Sequence, residues 1–121
     1  YEEQEQESLV IWLYALKDRL EASGFPKRLL FHAIPNGGKR DKATAARLKR
    51  AGVSPGVPDI FLPVPIGGFP GLYVEMKRAI GGKSPEAQKK WQEGLRLNGY
   101  RVEVCKGCEA ARAVILDYLG L

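Results

Sequence analysis

The sequence contains one histidine, one methionine and two cysteines in 121 residues. So few imidazole and sulfur groups exclude a complete structural zinc set within one chain. Structural zinc needs four ligands, and Cys105, Cys108 and the single distant His32 cannot complete a set within one chain. A thioredoxin-like use of the C-x-x-C pair stays open, because the pair falls between an expected strand and an expected helix. The simpler expectation is one cysteine half-buried at a strand end and one incidental. No apolar run approaches the ~20 residues that span a bilayer. The opening stretch, YEEQEQESLV, is acidic and polar and does not read as a signal peptide, which needs a basic start and an apolar core. Two thiols without an export signal point to a cytoplasmic, intracellular protein. Internal repeats and low-complexity linkers are lacking too, so the expectation is one domain over residues 1–121.

What is present is charge and a mixed pattern of elements. The net charge is +5, from 19 Lys and Arg against 14 Asp and Glu. Such a balance favours a polyanionic partner. The first seven residues carry four Glu, so the remainder is more basic than the total. Cations gather at Lys39, Arg40, Lys42, Arg47, Lys49 and Arg50, and again at Lys77, Arg78, Lys83, Lys89 and Lys90. Solvated helix faces would account for such clusters equally well.

Leu9, Val10, Leu13, Leu16 and Leu20 recur at helical spacing and predict a helix over 3–22. RLLFHA, residues 28–33, reads as a strand, and the Ala-rich 41–51 as a short basic helix. A strand at about 58–62 and another at 71–78 flank the Pro- and Gly-rich LPVPIGGFPG, which reads as a hairpin connection. Ser84 before Pro85 predicts an N-cap and a first helical turn, with the helix running to about Asn98. YRVEVC is a strand, and 108–119 a closing helix with Ala111, Val114, Ile115 and Leu119 inward. The fold class is α/β, a mixed central sheet flanked by helices.

Three charges interrupt the apolar centre, VPDIFLPVPIGGFPGLYVEMK. In a strand, residues i and i+2 share a face, so Glu75 and Lys77 project together. Asp59 begins the preceding strand, and a hairpin would bring it across from Glu75. Two close carboxylates repel unless a proton or a metal lies between them. Hard oxygen ligands suit Mg²⁺ or Mn²⁺, with water and phosphate completing the shell. Lys77 beside such an ion could orient or deprotonate a water, or stabilise phosphorane charge. The competing structural reading makes Asp59 a loop cap and Glu75–Lys77 a surface pair.

Pro58-Asp59, then Glu75-x-Lys77, resembles the PD-(D/E)xK nuclease signature. PNGGKRDKATAARLKRAGVSPGVPDIFL, followed by YVEMKRAIGGKSPEAQKKWQEGLRLNGYRVEVCKGCEAA, is similar to the VRR-Nuc family of that superfamily across nearly the whole chain. The resemblance implies a restriction-endonuclease-like αβββαβ core and hydrolysis of DNA phosphodiesters with Mg²⁺ or Mn²⁺. It implies Asp59, Glu75 and the backbone carbonyl of Met76 as metal ligands, and Lys77 as the catalytic lysine. On the first helix it points to Glu2, four residues before Gln6, as a ligand acting through water, with Glu3 and Glu5 as rivals. Gln88, in SPEAQKKW, matches the family's glutamine and would orient the site or a phosphate. Asn36 could line the site or simply serve a turn, and His32 reads as a structural strand residue. The second cysteine stands where an aromatic residue is expected, which bears on packing.

Short stand-alone members of the family, phage and bacterial in type, resemble Holliday-junction resolvases acting as homodimers in DNA repair. The basic segment Lys39, Arg40, Lys42, Arg47, Lys49 and Arg50, together with Lys83, Lys89 and Lys90, would then contact phosphates. Ile66, Phe69 and Leu72 are candidate dimer contacts or monomer core. Flap cleavage or nicking is the alternative within the same chemistry. A nuclease fold that binds DNA without cutting, and a C-x-x-C redox or zinc protein, are the alternatives outside it.

Overall fold

A computed structural model describes residues 2–35, 41–77 and 85–121. Helix α1 spans Glu2–Ser23, strand β1 His32–Ala33, helix α2 Lys42–Arg50, strand β2 Ile60–Leu62 and strand β3 Leu72–Lys77. Helix α3 spans Glu86–Leu97, strand β4 Arg101–Lys106 and helix α4 Cys108–Leu119. The sheet order is β1-β2-β3-β4. The first two pairings are antiparallel and β3–β4 is parallel. A parallel neighbour needs a crossover, and α3 is that crossover. The expected mixed sheet flanked by helices is what forms, with α2 inserted between β1 and β2.

Alternation along β3 divides the molecule. Leu72, Val74 and Met76 face one way and join a core with Leu9, Leu13, Leu16 and Leu20 of α1 and Ala111, Ile115 and Leu119 of α4. Tyr73, Glu75 and Lys77 face the other way, toward α3. α1 is therefore helical because its four leucines line one stripe over the sheet, and α4 fills the rest of that face. Tyr118 donates to the Val64 carbonyl at 2.6 Å and ties α4 to the hairpin connection.

The connection itself is a tight turn. Ile66 and Phe69 exchange two backbone hydrogen bonds of 3.0 Å, and Gly67 and Gly68 between them both have positive φ, at 60° and 86°. Two-residue hairpin turns need that conformation to match strand twist. Of the three candidate dimer contacts, Leu72 is core of the monomer, Ile66 packs on that core, and Phe69 lies at the surface beside Tyr118.

Three expectations are corrected. The strand expected over 28–33 shrinks to His32–Ala33. Its partner β2 is only three residues long, bracketed by Pro58 and Pro63, which have no N–H to donate. Leu29 and Phe31 make the run apolar because Leu29 enters the core and Phe31 packs edge-on against Tyr14. Pro85 is the N-cap of α3 rather than its first helical residue; Ser84 lies outside the described residues.

The cysteines are the third correction. Both thiols are free and buried, and Cys108 belongs to the core as fully as Cys105 does. Burial, then the Glu103 charge, push the Cys105 thiol up to about 11. A redox pair needs an accessible thiolate. Titration with a chromogenic disulfide at pH 8 is expected to find no rapidly reacting thiol in the native chain and two after unfolding. Stoichiometric release within minutes from the native chain would revive the redox reading.

Candidate active site

The site forms where β2 begins and β3 ends. Asp59 precedes β2, and the register pairs Ile60 with Val74, so Asp59 stands opposite Glu75. The Ile34 amide donates to the Asp59 carbonyl at 2.7 Å, fixing its backbone from the β1 side. Its carboxylate turns inward, and Oδ2 accepts the Met76 N–H at 2.7 Å. That N–H belongs to the peptide joining Glu75 to Met76, so the two acidic residues are held together by a direct bond between side chain and backbone. Asp59 is thus more than a loop cap.

Glu75 is 2% exposed and Lys77 4% exposed. Charged groups are seldom buried so far without partners or a function. A surface pair on an edge strand is excluded, since β3 lies between β2 and β4. The Lys77 ammonium donates to Oε1 of Gln88, on the first turn of α3. Gln88, expected to orient the site or a phosphate, is thus in hydrogen-bond contact with Lys77.

One residue outside the expected set shapes the site, and a second lies buried beside it on α3. Gly56, at φ 94°, meets the start of α3 so closely that a Cβ would lie 2.6 Å from the Ala87 carbonyl and 2.9 Å from the Gln88 nitrogen. The loop carrying Asp59 and the helix carrying Gln88 are therefore in backbone contact. Gly56 in SPGVPD gave a turn signal, but the sequence does not say what the turn touches. Gln92, one turn beyond Gln88 on the same face, is buried, and its Nε2 has no hydrogen-bond partner among the described residues.

The fold binds the site to the opposite layer at one more point. The Gly107 amide donates to the Lys77 carbonyl at 3.1 Å. One residue later the Cys108 amide, first in α4, donates to Oε2 of Glu5 at 2.8 Å. A carboxylate on a helix N-terminus satisfies an orphan donor and opposes the helix dipole. Glu5, one of the rival acidic positions on α1, is engaged there. Glu5→Ala is expected to cost about 1 kcal/mol, read as a drop of a few degrees in thermal midpoint; an unchanged midpoint would contradict the cap. The side chains of Glu2 and Glu3 lie outside the described residues.

The basic residues separate into two groups. Lys42, Arg47, Lys49 and Arg50 are all exposed on α2, which buries none of its residues. Asp41 caps that helix, accepting the Thr44 N–H at 2.7 Å, and these bonds hold its carboxyl below the usual range. Lys89 and Lys90 are exposed on α3. Asn36, Lys39, Arg40 and Lys83 lie outside the described residues. His32 is exposed on β1 with its ring edge-on to Phe61.

The profile of the VRR-NUC domain matches residues 3–109. The chain belongs to the VRR-NUC domain family. A solved structure titled "VRR_NUC domain protein" is similar along almost its whole length. It shares 30% identity, covers 99% of this chain and 88% of its own, and superposes with a TM-score of 0.80. No curated protein matches the sequence. The VRR-NUC chain is accordingly a nuclease-type domain, with DNA the substrate its family implies. No helix among the described residues is long and apolar enough to cross a membrane. Asp59, Glu75, Lys77 and Gln88 all fall inside the matched span.

Proposed function

We propose that this VRR-NUC domain is a metal-dependent endonuclease that hydrolyses DNA phosphodiesters, acting on branched DNA as a homodimer. The observation that carries the reading is the bond from the Met76 amide to Asp59 Oδ2, with Lys77 two residues from Glu75 and held by Gln88.

The donor set fits a hard cation. Asp59 and Glu75 supply carboxylates, and the Met76 carbonyl would add a third oxygen. Among the described residues no third His, Cys, Asp or Glu joins them to form a metal-binding group. That sparse set suits Mg²⁺ or Mn²⁺, which keep several waters and take phosphate oxygens as ligands. Glu2, through water, is the proposed outer contribution from α1. A cation held there would polarise the phosphoryl oxygen and acidify a bound water.

The chain's own groups do the rest. Asp59 and Glu75 concentrate negative charge where a cation must sit. Gln88 fixes the Lys77 side chain by accepting a hydrogen bond from its ammonium group, and aims it at the reacting phosphate. Lys77 orients the attacking water and offsets charge that develops on the phosphoryl oxygens. Lys42, Arg47, Lys49 and Arg50 of α2, with Lys89 and Lys90 of α3 and Lys39, Arg40 and Lys83, grip phosphates without reading sequence. A symmetric pair of sites suits the two opposed cuts that a four-way junction requires.

The test is cleavage of a labelled four-way junction, a 5′ flap and a linear duplex, each with Mg²⁺, Mn²⁺ or EDTA. Paired symmetric cuts on the junction, lost in EDTA and in Lys77→Ala, are expected. Single cuts at the flap would replace junction resolution by flap cleavage. Binding of all three with no cut under any metal would leave a DNA-binding module.

A further inference from the structure

α3 carries a glycine, Gly94, in its interior. Glycine there is a poorer helix former than alanine. Packing does not require it, because a Cβ at Gly94 would have nothing within 4 Å among the described residues. Beside Gly94 lies an open notch of about 310 Å³, lined by Lys90, Trp91, Gly94, Leu95 and Asn98. Lys90 and Trp91 stand one turn before Gly94 on the helix and Asn98 one turn after. Trp91 forms a wall and keeps 38% of its surface exposed. It lies three residues beyond Gln88, so the notch opens within one turn of the residue that holds Lys77.

We propose that this notch receives an unpaired nucleobase of the DNA strand passing the active site. The indole offers a flat face for stacking, which every base can use. Lys90 at the rim offers a cation for the adjoining phosphate. Asn98 offers an amide, donor and acceptor together, for a base edge. A paired base is covered on both faces by its neighbours and cannot enter. Strands with unpaired bases, as at a branch or flap, would therefore be held more tightly than blunt duplex. A second copy of the chain seated in the notch is the other occupant that the test distinguishes.

The inference rests on DNA being the ligand of the site above, and its test needs no cleavage. Trp12, half-buried against the core beside Arg112, is the other of the two tryptophans. Trp12→Phe leaves Trp91 as sole reporter. In EDTA, titration with oligothymidylate is expected to quench its emission, whereas an abasic strand of equal length and charge binds without quenching. Gly94→Leu fills the notch with a better helix former. It is expected to raise the thermal midpoint, abolish the quenching and weaken oligothymidylate binding by roughly tenfold. Trp91→Leu, followed by anisotropy of a labelled strand, should weaken it by a similar factor and serves if the first variant does not fold. Equal quenching by the abasic strand, or unchanged affinity in both variants, overturns the proposal. So does a change of Trp91 emission with protein concentration, without DNA, that Gly94→Leu removes, which would assign the notch to a second copy. Base-dependent quenching without cleavage in any metal would overturn the nuclease reading and leave the notch standing.

Discussion

Asp59→Asn is expected to lower the DNA cleavage rate by roughly 10²–10⁴-fold and to change stability by less than about 1 kcal/mol. The two effects separate because Asp59 has two tasks. One is a hydrogen bond, since Oδ2 accepts the Met76 amide. An asparagine oxygen can accept the same bond, so the backbone between the two strands stays satisfied. The other, on the proposed reading, is the negative charge offered to a divalent cation, which an asparagine amide oxygen replaces only in part. Asp59→Ala removes both. It leaves the Met76 N–H inside the sheet without its acceptor, at about 1–3 kcal/mol, as well as abolishing cleavage. Single-turnover cleavage and thermal unfolding of the two variants test this directly. Full activity in Asp59→Asn would remove Asp59 from the site, and equal stability of the two variants would remove the structural bond.

The second large effect is expected away from the charged residues. Gly56→Val should lower stability by about 2–4 kcal/mol, on the order of 10 °C in thermal midpoint. Two causes combine. A β-branched residue is strained at the positive φ of this position. Its Cβ would also press into the Ala87 carbonyl and the Gln88 nitrogen, atoms of α3 backbone that cannot swing aside. Relief requires the start of α3 to move, and Gln88 moves with it. Cleavage by the folded fraction should therefore fall as well, through loss of the Lys77 contact. Gly52→Val supplies the control. Gly52 also has positive φ, at 100°, but a Cβ there meets nothing within 4 Å among the described residues. It should show the strain alone, about 1–3 kcal/mol, and no loss of activity in the folded fraction. Equal behaviour of the two variants would show that contact with α3 does not matter.

These predictions draw on different sources. The sequence alone determined the character of the site. Glu75 and Lys77 stand two apart in a strand, and a period of two puts them on one face whatever the rest of the chain does. Pro58-Asp59 and the hairpin connection placed Asp59 at the entry to the neighbouring strand. The helices were legible where a stripe of leucines or alanines repeats at helical spacing, and least legible in RLLFHA. There the apolar residues answer to α1, and pairing is limited by the length of a strand almost thirty residues away. Local pattern records that a residue is buried, and not against what.

Tertiary structure decided everything that depends on the approach of distant segments. It set the depth of Glu75 and Lys77, the bond from Met76 to Asp59, and the choice of Gln88 as partner of Lys77. It turned Gly56 from a turn residue into a contact between a loop and a helix. It engaged Glu5 at the start of α4, 103 residues away along the chain. It also closed the redox reading of Cys105 and Cys108, since a C-x-x-C spacing is the same in a core as at a surface. Spacing fixes the direction of a side chain within its own element. The field, the burial and the partners it meets there are set by elements packed against it from elsewhere in the chain.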